Sequence, residues 1–185
     1  MHLIPAILVA VLAQEPGQMD PGELEKAIGA AIDKGVDYLK KQQKGDGSFG
    51  DSSGPTYAPG DCYHNRPGIT ALSLLALLKS EVPHDDPVIK KGFQLIYTYV
   101  PQSSNLLSNY DMGVILMAIE ALYESAVKEK MKKDGRKAVE RPGDFKEPKY
   151  TISQNDARFC ADVIKRLCEN QTSQGGWRYG KGFGL

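Results

Sequence analysis

The most constraining feature of this sequence is an alternation between two kinds of helical segment. A helix is predicted over about 21–43, with Asp20 followed by Glu23 in the cap-and-acid spacing of a helix start. Its apolar residues Leu24, Ala27, Ile28, Ala31, Ile32, Val36 and Leu39 fall on one side. The segment over about 67–79 is different, because only Thr70 and Ser73 interrupt its apolar run. A helix apolar on every side is expected to be buried on every side. The third segment starts at Asp86-Pro87, stops before Pro101 and is again one-sided, through Ile89, Phe93, Ile96, Tyr97 and Val100. The fourth, about 110–125, is almost wholly apolar. The fifth, about 153–170, carries Ala157, Cys160, Ala161, Ile164, Leu167 and Cys168 as its stripe. One-sided segments suit an outer layer and wholly apolar ones an inner layer. No segment reads as a strand, so the expected class is all-α, with two concentric helical layers.

Composition narrows the field. The chain has 185 residues, of which 41% are apolar and 25% charged, which suits a globular core rather than disorder. Its 23 basic and 23 acidic residues cancel, removing the general electrostatic case for nucleic acid as a partner. An apolar ligand or a protein partner is left as the partner class. Leu3–Ala13 is apolar but for Pro5 and too short to span a bilayer, which needs ~20 residues. It reads as a signal peptide over 1–13, with Val11-Leu12-Ala13 before the cut, although the start carries His2 and no Lys or Arg. Export to the periplasm or the exterior is the expectation. Residues 126–150, with Lys128–Lys137 and two prolines, are read as a charged loop.

The three cysteines show no C-x-x-C. Cys160 and Cys168 are eight positions apart on one predicted helix, roughly 12 Å along its axis, too far for a disulfide. Buried thiols are expected. Gly45-x-Gly47-x-x-Gly50 follows a helix and opens none, so it fails the context of a dinucleotide site. No cofactor is expected.

The segments also repeat. Val36, Leu39, Gln43, Gly47 and Phe49 align with Ile164, Leu167, Gln171, Gly175 and Trp177 at one offset, 128. The apolar helices align at an offset of 45, Gly68 with Gly113 and Leu72 with Met117. A glutamine followed by a glycine-aromatic turn, Gln171-x-x-x-Gly175-Gly176-Trp177, with the looser copy Gln43-x-x-x-Gly47-Ser48-Phe49, resembles the repeat of squalene and oxidosqualene cyclases. The same α/α-toroid is found in protein prenyltransferase β subunits and in prenyltransferase and squalene oxidase repeat proteins. The resemblance covers about residues 24–180. It implies a partial toroid over 20–185, in which the glutamine caps helix ends and the aromatic stacks between repeats. A complete toroid has more helix pairs, so the resemblance implies the N-terminal part of a larger protein.

The chemistry of that family is not matched here. Cyclising members protonate their substrate with Asp-x-Asp-Asp, kept acidic in an apolar cavity that stabilises carbocations. The nearest cluster here, His84-Asp85-Asp86-Pro87, reads as a helix cap. Prenyltransferases hold zinc with Asp-x-Cys and a distant His. Asp61, Cys62 and His64 have zinc-ligand chemistry but the wrong spacing and no fourth ligand, so no metal is expected there. Tyr63, His64 and Arg66 precede one inner helix, and Tyr110 and Asp111 start the other. In a toroid these starts converge on a central rim, so the five are the ligand-binding candidates. The expected role is binding or scaffolding, with self-association through exposed inner helices. The alternative is a fragment of a polyprene cyclase or prenyltransferase whose catalytic residues lie beyond residue 185.

Overall fold

The computed structural model describes residues 20–50, 67–99, 107–135 and 151–177. The expected signal peptide, the ligand candidates Tyr63, His64 and Arg66, and the metal candidates Asp61, Cys62 and His64 lie outside them. Five helices are present: α1 (Pro21–Gln42), α2 (Pro67–Lys79), α3 (Pro87–Tyr99), α4 (Asn109–Lys133) and α5 (Gln154–Glu169). Among the described residues there is no strand, only an isolated bridge between Gln171 and Trp177. The all-α expectation holds. No helix among the described residues is long and apolar enough to cross a membrane.

The chain divides into two compact units, Met1–Asp37 and Tyr38–Leu185. In the first, the described residues are Asp20 and the part of α1 up to Asp37. No residue of α1 is buried, and Leu24, Ile28 and Ile32 are exposed, so the predicted stripe exists but is uncovered. In the second unit the core forms where α2 meets α4 and α3. Leu74 and Leu77 of α2, Ile89 and Ile96 of α3, and Met112 and Ile115 of α4 have almost no solvent contact. Each such side chain contributes about 1.5–3 kcal/mol relative to an exposed one.

The helices α2 and α4 run parallel and in register. Gly68 approaches Asp111 near their starts, and Lys79 pairs with Glu124 further along. A Cβ on Gly68 would lie 2.0 Å from Asp111 Oδ1, so only glycine permits this approach. The aligned Gly113 faces open space.

Several expectations are corrected by the packing. Neither α2 nor α4 is buried on all sides, because Ile69, Leu72 and Ala76 of α2 and Tyr110 and Met117 of α4 face outward. Uniformly apolar sequence sets no orientation, so it could not reveal which side lacks a neighbour. The loop expected from residue 126 is helix as far as Lys133, where α4 ends. Strong helix formers and the Lys128–Glu124 and Lys133–Glu129 pairs at i, i+4 carry it on. On α5 the buried residues are Phe159 and Val163, whereas Ala157, Ala161, Ile164 and Cys168 are exposed. Phe159 sets this orientation by an edge-on contact with Tyr97, ring centroids 4.9 Å apart. Cys160 is half-buried and Cys168 exposed, so the second is not the buried thiol expected.

Candidate functional site

Of the expected rim residues, Asp111 and Tyr110 lie in the described structure. Asp111 is buried and spent on its own helix. Ser108 caps α4, the Asp111 N–H donates to Ser108 Oγ (3.1 Å), and Asp111 Oδ2 accepts from the Ser108 N–H (2.9 Å). This is a complete capping box, so Asp111 is a structural residue first. Tyr110 is exposed beside it.

The repeat turns are related bond for bond. In the first, the Lys44 N–H donates to the Ser48 carbonyl (2.9 Å) and the Gly47 N–H to the Lys44 carbonyl (3.0 Å). In the second, Thr172 donates to Gly176 (2.8 Å) and Gly175 to Thr172 (2.9 Å), the same pattern 128 residues on. Gln43 Nε2 donates to the Gly47 carbonyl and Gln171 Nε2 to that of Gly175. Gly47 and Gly175 both have positive φ, 93° and 82°. The glutamines therefore close their own turns.

Their surroundings differ. Gln43 Nε2 also donates to the Val88 carbonyl on α3 (2.8 Å), and the Phe49 N–H donates to Thr70 Oγ1 on α2 (3.2 Å). Phe49 is 4% exposed and Trp177 is 58% exposed. The indole Nε1 donates back to the Leu167 carbonyl of α5, which ties the ring to its own helix end.

A cavity of about 370 Å³ lies among α3, α4 and α5, lined by Phe93, Tyr97, Leu122, Tyr123 and Asp156, with His84 from the α2–α3 turn. Its size is that of a small-ligand pocket. Asp156 accepts a hydrogen bond from the phenol of Tyr123, and its charge also acts on the phenol of Tyr97. Burial first, and then the Asp156 carboxylate, push both phenols above their ordinary range, so they stay protonated donors. The Tyr123 hydroxyl also accepts from the Ser153 N–H (2.8 Å). In α4 the N3 aspartate bonds the cap N–H directly; in α5 the phenol of Tyr123 is inserted between them. Through Tyr123, Asp156 pins α5 to α4. Sequence reasoning missed this pocket because its polar groups come from different helices. The one legible signal was the Ser153–Asp156 cap spacing.

Comparison with protein-family models, curated proteins and solved structures found no match for this chain.

Proposed function

We propose that the chain is a helical-repeat scaffold of the α/α-toroid type, similar to squalene cyclase-type repeat proteins, with a binding and assembly role. Its α5 edge is a docking surface for a second copy of the chain. The observation that carries this reading is the exposure of Trp177 on a turn whose twin buries Phe49. Ala157, Ala161, Ile164 and Cys168 extend that uncovered apolar surface along α5. A second copy carries matching apolar surface in Ile69 and Leu72 of α2, both exposed. The apolar run Leu3–Ala13 supports export of the chain.

Light scattering over a dilution series tests the reading. A mass above the monomer is expected, falling to the monomer in the double variant Ile164→Asp, Trp177→Ser with helix content unchanged. A monomer at every concentration, or an assembly indifferent to the double variant, overturns it.

A further inference from the structure

We propose that His84, Asp85 and Glu129 form a zinc-class cation site that fastens the α2–α3 turn to α4. The imidazole nitrogen and the two carboxylate oxygens all lie within 4.8 Å of one another. His84 Nδ1 stands 3.3 Å from Glu129 Oε2, yet it is shielded from solvent and makes no hydrogen bond. Whichever its protonation state, this is an unsatisfied pair. A bare nitrogen presents its lone pair to an anion, and a protonated one misses its acceptor. A cation between them satisfies both atoms. Two ligand atoms each ~2.0–2.2 Å from a tetrahedral zinc stand roughly 3.3–3.6 Å apart. The His84–Glu129 separation of 3.3 Å matches, and Asp85 lies within reach of both. One imidazole with two carboxylates selects a borderline transition cation over magnesium or calcium.

The turn that carries His84 and Asp85 is fixed at both ends. At the end of α2 the Val82 N–H donates to the Leu77 carbonyl (3.0 Å) and the Glu81 N–H to that of Leu78 (3.1 Å). Glu81 takes φ 63°, a left-handed conformation unusual for a residue other than glycine. The buried Val82 anchors the start of the turn. The Asp86 N–H then donates to the Pro83 carbonyl (3.0 Å), closing a four-residue turn with His84 and Asp85 at its centre. Asp86 caps α3 through the Val88 N–H and pairs with Lys40. Glu129 comes from α4. Lys133 lies 3.9 Å from it, an exposed pair that a bound cation easily displaces. The remaining coordination position is left to water or to a ligand in the cavity that His84 also lines.

Calorimetric titration of the full chain with zinc chloride, with magnesium chloride as the contrast, tests the site. One zinc per chain is expected, with a rise in Tm on binding and no comparable magnesium response. Affinity should fall at least about tenfold in Glu129→Gln and in His84→Ala, since losing even an outer-shell partner costs that much. Cys62→Ser should change nothing. Glu129→Gln alone decides if His84→Ala fails to fold. Absence of saturable zinc binding overturns the site and leaves only the contact of His84 with Glu129. Binding that survives Glu129→Gln, or is lost in Cys62→Ser, also overturns it and moves the ion elsewhere.

Discussion

Gln43 closes its turn and then reaches across to α3, while Gln171 closes the same turn and bonds only within it among the described residues. Phe49 is buried, with its N–H bonded to Thr70 of α2; Trp177 lies open. The difference separates two contributions that are normally entangled. Turn geometry is local, because it forms alike with and without a neighbouring helix pair. Burial is not local, because it depends on the pair that covers the turn. One chain therefore carries the repeat in both its packed and its unpacked state.

The largest contrast should come from the aromatics. Phe49→Ala is expected to cost about 3–5 kcal/mol, the range for an aromatic lost from a core. Trp177→Ala should cost the monomer under about 1 kcal/mol, because an exposed ring gives up little more than its hydrogen bond to Leu167. Urea unfolding followed by circular dichroism compares them at concentrations where the chain is monomeric. Equal losses would mean that Trp177 is covered in solution, and would break the comparison.

The turn glycines should rank next. A side chain at positive φ costs roughly 1–2 kcal/mol at either site. At Gly47 a Cβ would also lie 2.5 Å from the Lys91 carbonyl oxygen, whereas at Gly175 it meets nothing within 4 Å. Gly47→Ala should therefore exceed Gly175→Ala by about 1–3 kcal/mol, the usual cost of overpacking. The same unfolding assay reads the difference. Loss of that difference would show that α3 yields easily at Lys91.

For Gly68 and Gly113 the sign itself should invert. Gly68→Ala collides with Asp111 and is expected to destabilise by about 1–3 kcal/mol. Gly113→Ala meets open space inside α4 and should stabilise by roughly 0.5–1 kcal/mol through helix propensity. Thermal unfolding should give Tm shifts of opposite sign. A shared sign would mean that Gly113 has a close neighbour in solution.

The helix starts were legible because their signals are local, whereas the end of α4 was not. Asp86-Pro87 starts α3, and Ser153 caps α5. The repeat turn was legible for the same reason, since glutamine, glycine and aromatic sit within seven residues. Orientation was not legible. Ile164 and Leu167 fit a stripe as well as Phe159 and Val163 do, and the choice depends on Tyr97, which lies on another helix. The cavity was invisible for the same reason, as Tyr97, Tyr123 and Asp156 come from three helices. Asp111 read as a rim ligand because its spacing to Ser108 is also that of a capping box, and the box uses it.

The smallest effect concerns acid sensitivity, again at matching positions. Lys40 pairs with Asp86 at 2.8 Å, and its counterpart at the offset of 128 is the exposed Cys168. Burial raises the Asp86 pKa, but Lys40 and the Val88 N–H outweigh it and hold the group below the ordinary carboxylate value. A depressed folded-state pKa stabilises the fold above the unfolded pKa, near ~3.9, and the contribution is lost as pH falls through the folded value. Lys40→Ala should therefore cost about 0.5–1 kcal/mol near neutral pH at low salt, a penalty that fades below about pH 4 and in high salt. Asp46 is also held below the ordinary carboxylate value, by its hydrogen bonds from Ser48. It is untouched by the substitution, so the wild-type minus variant difference isolates Asp86. Cys168→Lys should leave the acid profile of the monomer unchanged, because position 168 is exposed and an ion pair made there would be screened by solvent. A new acid-sensitive step in that variant would mean that a carboxylate already faces the α5 edge, and the two ends of the repeat would then be more alike than their burial shows.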